Sequence, residues 1–410
     1  MKKTIVPLGP FHPLLEEAEY FKLYVEGETV VDADLRIGYM HRGIEKLSQT
    51  KTFDQVAFLV ERICGICSTS HPMAYVLAME DLAGISVPER ASYIRTIIAE
   101  LERLHSHLLW VGLAGHFIGY DTVFMWAWKY REPVLDIFEL ISGNRNHYAM
   151  MKIGGVRRDI KDEDVPKIVS MLDTVATAGE LFTGAVMDDP VIHARTKGVG
   201  VLTKEDAIAY ATVGPTVRGS GIPHDIRRDE PYASYGMVDW KVITYEGGDV
   251  FAKAAVRLLE IFESVKIIRQ CLDQMRPGPI ETEVRAIPRG EGVGHAEAPR
   301  GEVFHYVRSD GSSCPVRHKI RAPSYVNIPS FKATCIGESI ADAALITAAV
   351  DPCYCCTERM AVIDRRSQDV LLPGQELVRM SREKTQRIKA GLGQETPIDK
   401  LARTLQKRNV

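Results

Sequence analysis

The chain has 410 residues, 45% of them hydrophobic, and its 51 Lys and Arg against 54 Asp and Glu leave a formal charge of −3. That length can bury one large core or two smaller ones, and the near-neutral balance excludes the basic field that nucleic acid requires. The eight cysteines are unevenly placed, with three crowded at Cys353, Cys355 and Cys356; this is no disulfide framework and fits reduced thiols and metal in a reducing compartment.

Met1 to Val6 runs into Pro7 with no long apolar stretch, so no secretory signal is expected. Alternation over 20–26 and 28–37 predicts a small antiparallel sheet turning at Glu26 and Gly27. Residues 51–83 predict a helix with Cys64 and Cys67 near its beginning. Pro88 opens a long helix that carries Ile94, Ile97, Ile98, Leu101, Leu104 and Leu108 at helical spacing. The stretch from Leu108 to Trp128 is apolar and about long enough to span a membrane. It contains His116, Asp121 and several glycines, however, and reads as buried core. Further helices are predicted over 134–142, 162–186 and 249–274. Glycine and proline cluster over 277–301, which predicts loops, with strands around Gly301 to Val307. A buried helix over 337–349 delivers Cys353 and Cys356.

The fold class expected is α+β, mainly α: a central bundle of long helices, with small β-sheets at the N-terminus and after residue 280. Residues 1–365 read as one domain, made of a β region (1–50), a helical core (51–280) and a β/loop region with the final helix (281–365). Residues 366–410 are polar and basic with few apolar anchors, and read as a surface tail or docking arm.

Cys64/Cys67 and Cys353/Cys356 are each a C-x-x-C pair, a spacing that lets two thiolates point at one ion. Four thiolates suit zinc, iron or nickel. On spacing alone a structural zinc site is the commoner reading. Zinc pairs, though, sit on short knuckles with a modest gap. Here the pairs lie near opposite ends, and the second follows the apolar run Ile340–Val350. Such burial inside a large domain points towards catalysis.

The residues around the pairs extend the pattern. Arg42-Gly43-Ile44-Glu45 is followed after sixteen residues by Arg62-Ile-Cys64-Gly65-Ile-Cys67 and His71, and late in the chain comes Asp351-Pro352-Cys353 with Cys356. Together these resemble the large subunit of the nickel–iron hydrogenases. Gly9–Pro13, Arg218–Ile222, Glu297–Glu302 and Lys319–Ser324 resemble segments of the complex I subunit with the same fold. The mixture is similar to the membrane-bound, energy-converting branch of the hydrogenases.

That resemblance implies nickel on all four thiolates, with Cys64 and Cys353 terminal. Cys67 and Cys356 would bridge to an iron that carries cyanide and carbon monoxide, installed by maturation proteins. It implies Glu17 as a proton relay, against the alternative of a surface carboxylate beside Glu16 and Glu19. It implies Arg300 over an open coordination position, where a guanidinium could polarise bound hydrogen; the alternative is an ion pair with Glu297 or Glu302. His71 is expected to hydrogen-bond a bridging sulfur. Glu45 helps to hold magnesium or iron in many relatives, together with a histidine three residues after the last cysteine. Here that position is Arg359, which cannot ligate a cation. An Arg359–Glu45 ion pair is expected in place of the magnesium. Cys355 is expected to bind no metal, Cys271 to be a small buried hydrophobe, and Cys314 and Cys335 belong to no motif.

The remaining cysteines form no ferredoxin pattern, and no dinucleotide-binding glycine motif is evident. Electrons must therefore leave through another polypeptide. The resemblance implies a small subunit with an iron-sulfur cluster, membrane subunits that translocate ions, and ferredoxin as redox partner. It also implies a peripheral position on the cytoplasmic side of the membrane, held by those subunits. Two rival readings stand beside it. One is a quinone- or sulfur-reductase subunit of the same fold, with His12 and His41 near the quinone loop. The other is a structural zinc scaffold.

Overall fold

The computed structural model describes residues 3–12, 15, 17–284, 286–357, 362–363, 370–372 and 374–391. The chain divides into two units, 1–358 and 359–410.

Strands β1 (Thr4–Leu8), β2 (Tyr20–Glu26) and β3 (Thr29–Arg36) form an antiparallel sheet in that order. Strict alternation in β2 buries Phe21, Leu23 and Val25 and leaves Lys22 and Tyr24 on the wetter face. The hairpin turns at Gly27, whose φ of 65° suits a residue without Cβ.

Three short helices follow: α1 (Ile44–Ser48), α2 (Phe53–Glu61) and α3 (Ser70–Ala83). The single helix expected over 51–83 is thus two helices with a break at 62–69. The break is where the first cysteine pair sits. There the carbonyls of Arg62 and Ile63 accept from Arg42 instead of continuing a helix, so the apolar period alone overstated it.

The core of the unit is a ring of four helices. α4 (Glu89–Phe117) packs on α5 (Asp121–Ser142), α5 on α6 (Val165–Met187), α6 on α7 (Val250–Gln274), and α7 again on α4. α4 starts directly after Pro88, as its sequence predicts, and is buried on nearly every side. The apolar stretch 108–128 resolves into the end of α4 and the start of α5, with a turn at Gly119. A Cβ on Gly112 would lie 2.9 Å from Ala127 Cβ, so the two helices meet backbone to backbone there. No described helix is long and apolar enough to cross a membrane. α5 begins well before the expected 134, because Pro133 lies inside it and masks its first half.

After α7 comes a three-stranded antiparallel sheet, β4 (Arg289–Ala298), β5 (Gly301–Asp310) and β6 (Arg317–Arg321). Of the stretch 277–301 expected as loop, residues 289–298 instead form strand β4. A Cβ on Gly292 would sit 2.0 Å from Ala78 O, and one on Gly294 2.2 Å from Ala74 O. The alternating glycines therefore let α3 lie directly on the strand; they are strand residues chosen for close approach, not turn residues. The last helix of the unit, α8 (Ile340–Ala349), is capped by Ser339 and ends just before Asp351. The fold is thus mainly helical with small antiparallel sheets at the two expected places.

In the second unit, β7 (Val362–Ile363) and β8 (Val370–Leu372) pair antiparallel, and α9 (Gly374–Gly391) follows. Its described side chains are mostly exposed, and Arg379 pairs with Glu383 one turn on.

Candidate metal centre

The break between α2 and α3 is held from three sides. Arg42 donates to the carbonyls of Arg62 (2.8 Å) and Ile63 (2.7 Å). Within the loop, the backbone N–H groups of Ile66 and Cys67 both lie 3.3 Å from Cys64 Sγ. The N-terminus of α3 has no side-chain cap of its own. Its free N–H groups are met instead by buried Glu102 of α4, which accepts from Ser70 N (3.1 Å), from Thr69 N and from the Ser70 hydroxyl. Burial pushes the Glu102 carboxyl up to about 8, against the lowering effect of those hydrogen bonds.

The second pair is placed by α8. Asp351 adopts a φ of 55°, a left-handed turn that Asp tolerates better than most residues. Cys353 N then donates to Ser324 Oγ (2.9 Å), and a single 3-10 turn brings Cys356 round to Cys353.

Folding thereby brings all four predicted sulfurs together. Cys353 Sγ lies 3.1 Å from Cys64 Sγ and 3.0 Å from Cys356 Sγ, and Cys67 Sγ lies 3.9 Å from Cys356 Sγ. All four are buried and free of disulfides, and their sulfurs lie within 4.8 Å of one another. A tetrahedron with metal–sulfur bonds of about 2.3 Å has edges of ~3.8 Å, so little adjustment is needed to enclose an ion. Charge points the same way. Hydrogen bonds from Cys353, Cys356 and Cys67 hold the Cys64 thiol well below its usual range. Hydrogen bonds to Cys356 and Cys64 push Cys353 well above it. A divalent ion would take the place of the protons that such close thiols otherwise keep. The donor set suits nickel, iron and zinc alike.

What surrounds the sulfurs is less like a zinc staple. Arg300, in the tight turn between β4 and β5, is wholly buried. Its Nε donates to Asp351 O (2.7 Å), Nη2 to Asp351 Oδ1 (2.6 Å) and Nη1 to Ser106 Oγ (3.1 Å). Burial opposes its charge, but Asp351 and the sulfurs of Cys353, Cys64 and Cys67 outweigh it and hold the guanidinium ionised. Neither alternative partner is used in the described contacts: Glu297 bonds Arg218 (2.7 Å), and Glu302 bonds His295 (3.3 Å) and Arg321. Asp351 was not foreseen, although it stands in the same motif as the second cysteine pair.

His71, on the first turn of α3, places Nε2 3.6 Å from Cys356 Sγ. Burial pushes its imidazole down to about 4. Glu17 accepts from the backbone N–H of Cys355 (2.5 Å), one residue from Cys356. It also lines a surface hollow of about 630 Å³ together with Phe11, His12 and Met40. Glu17 is half-buried, whereas its neighbour Glu19 is buried, and burial pushes the Glu19 carboxyl up to about 8. Glu45 sits on α1, accepts from Ile320 N (3.0 Å), and faces Lys319 (3.6 Å) and Arg317 (3.8 Å) on β6. Arg359, its expected partner, lies outside the described residues. Cys355 joins none of the sulfur contacts above; burial and its bond to Glu17 push its thiol up. Cys271 and Cys335 are buried and Cys314 is half-buried.

Sequence reasoning also missed a buried ionic network beyond the sulfurs. Arg218 bonds Glu260 (2.9 Å), Glu297 (2.7 Å) and Asp225 (3.2 Å), and Arg227 bonds Asp225 (2.6 Å) and Glu100 (3.0 Å). The one available signal was Arg218 itself, in a segment already singled out for resemblance.

Residues 118–287 and 281–359 match the family described as respiratory-chain NADH dehydrogenase, 49 Kd subunit, and residues 42–113 match the nickel-dependent hydrogenases. The chain is 41% identical over 410 residues to the membrane-bound hydrogenase subunit alpha of Pyrococcus furiosus, with 96% of each chain covered. It is 40% identical over 361 residues to the carbon monoxide-induced hydrogenase of Rhodospirillum rubrum, covering 88% of this chain and 100% of that one. Among solved structures, a chain of a membrane-bound sulfane sulfur reductase, an archaeal respiratory membrane complex, superposes with a TM-score of 0.83. It is 30% identical, with 87% of this chain and 98% of that chain covered.

Proposed function

The chain belongs to the family that joins the nickel-dependent hydrogenases to the 49 kDa subunit of respiratory-chain NADH dehydrogenase, and on that premise we propose that it is the catalytic subunit of a membrane-associated nickel–iron hydrogenase. The observation that carries the reading is the convergence of four buried cysteine sulfurs from two distant pairs. A sulfur- or quinone-reducing subunit of this fold is the second reading, favoured by the likeness to the sulfane sulfur reductase. It leaves the four-sulfur pocket without a task.

In the proposed reading Cys64, Cys67, Cys353 and Cys356 would hold nickel together with an iron that carries cyanide and carbon monoxide. The pair supplies heterolytic cleavage of dihydrogen and its reversal. Arg300 presents a fixed positive charge beside the sulfurs, oriented by Asp351. Glu17 carries the proton between the sulfurs and the solvent hollow that it lines. His71 hydrogen-bonds the Cys356 sulfur, and Glu45 ties α1 to β6. No magnesium is assigned. Electrons leave through a small subunit with an iron-sulfur cluster, with ferredoxin as the redox partner. Membrane subunits anchor the chain at the cytoplasmic face of the membrane and move ions, and maturation proteins build the metal pair.

Metal analysis of the purified complex tests this. Nickel and iron in equal amounts at this subunit, lost together in Cys356→Ser, is the expected result. Zinc alone would refute it.

A further inference from the structure

Three histidines form a file that starts at the Cys356 sulfur. His71 Nε2 lies 3.6 Å from Cys356 Sγ. His71 Nδ1 lies 3.1 Å from His305 Nε2, and His305 Nδ1 lies 2.9 Å from His318 Nε2. All three side chains are completely buried. The file ends at His318 Nδ1, which is buried and has no hydrogen-bond partner. Tyr75, one turn after His71 on α3, closes that end: its ring lies 5.4 Å from the His318 ring, and its hydroxyl is engaged by Phe53 O.

We propose that His305 and His318 are positioning residues, which hold His71 as the tautomer protonated on Nε2 so that this N–H donates to the Cys356 sulfur. The inference rests on the proposed metal-bound state of Cys356, because a metal-bound sulfur carries no proton and can only accept.

A neutral imidazole has one donor nitrogen and one acceptor nitrogen. Each close nitrogen pair holds one proton, so the choice made at one ring is passed to the next. Two neutral arrangements exist: all three rings protonated on Nε2, or all three on Nδ1. A proton-free sulfur selects the first. His318 Nε2–H then donates to His305, His305 Nε2–H to His71, and His71 Nε2–H to sulfur. The unpartnered atom is then a bare acceptor, whereas the opposite arrangement would bury an unpaired N–H at His318.

A charged ring in the file is disfavoured. Among the described residues no carboxylate hydrogen-bonds to any of the three. Burial pushes His305 well below the usual imidazole range and His318 down to about 3.

The sheet explains how the file is built. Val307 on β5 pairs with His318 on β6, so His305, two residues before Val307, lies on the same face one step along the diagonal. That face is the buried side of β5, packed on α3. Three imidazoles in a site suited to aliphatic side chains are costly to bury unless each is hydrogen-bonded. Aligned in one direction, their dipoles also present their positive end to a sulfur of the proposed centre, drawing charge from it.

The test uses the intact, metal-loaded complex. Labelling with ¹⁵N-histidine should show His71, His305 and His318 as neutral rings protonated on Nε2. His305→Phe should shift the infrared bands of cyanide and carbon monoxide while nickel and iron content stays at the wild-type level. His305→Gln, which keeps a donor and an acceptor, should restore most of that shift. Unshifted bands in a metal-replete His305→Phe complex, or a wild-type His71 protonated on Nδ1, would overturn the inference and leave the metal assignment standing. Should His305→Phe fail to assemble, the wild-type tautomers decide. Wild-type protein without such bands removes the premise itself.

Discussion

At the scale of single residues, the site separates thiols that sequence places side by side. Cys356 points its sulfur into the cluster, while Cys355 offers its backbone N–H to Glu17. Cys356→Ser should therefore lose nickel and hydrogen turnover together. Cys355→Ser keeps the N–H and should retain both; a collapse of activity there would mean that the wrong thiol had been chosen. Arg300→Lys keeps a charge but not the fork that binds Asp351 through two nitrogens. Nickel should remain, with turnover reduced at least about tenfold, as expected when ~1.4 kcal/mol or more of oriented interaction is lost. An unchanged rate would make Arg300 a purely structural ion. Glu17→Gln should keep both metals yet slow hydrogen–deuterium exchange, because the amide cannot take up a proton. Exchange at the wild-type rate would remove Glu17 from the pathway.

Ligands were legible because C-x-x-C spacing is local chemistry written in adjacent letters. Their supports were not. Asp351, Glu102, His305 and His318 act across contacts that only the folded chain creates, such as the 234 positions between His71 and His305.

At the scale of elements, periodicity found the long helices and misplaced what punctuates them. Pro88 announced α4 correctly. Pro133 hid the first half of α5, and glycines hid β4. Glycine has two structural uses, the left-handed turn and the close approach, and a sequence does not say which is in force. The distinction is testable. In Gly294→Ala the new Cβ would fall 2.2 Å from Ala74 O and 2.3 Å from Ala78 N, both backbone atoms. β4 would have to lift from α3, the helix that begins at the first cysteine pair. We expect a loss of about 2–4 kcal/mol of stability, seen as a lower unfolding midpoint and reduced nickel retention. A midpoint within error of the wild type would show that the strand has room to move.

At the scale of the whole molecule, the family's architecture explains why the cysteines can stand so far apart in sequence. α3 begins just after one cysteine loop and packs on β4 and β5, and α8 ends just before the other and packs on α4 and α7. Class and arrangement could be anticipated, since burial follows from apolar patterning. In the proposed reading the electron-accepting partner is inferred from sequence, because the cysteines outside the two pairs form no ferredoxin pattern. The basic segment after residue 366 belongs to that assembly in our reading. Deleting residues 385–410 after maturation should leave the spectrum of the centre unchanged and weaken association with the other subunits; shifted bands would place the segment at the site.

A nickel–iron pair on Cys64, Cys67, Cys353 and Cys356 can be read out by infrared spectroscopy of the purified complex. Bound cyanide and carbon monoxide absorb where protein does not. The wild type should show their bands, and Cys67→Ser and Cys356→Ser should lose them. A fully assembled, metal-replete wild-type complex without those bands would contradict it.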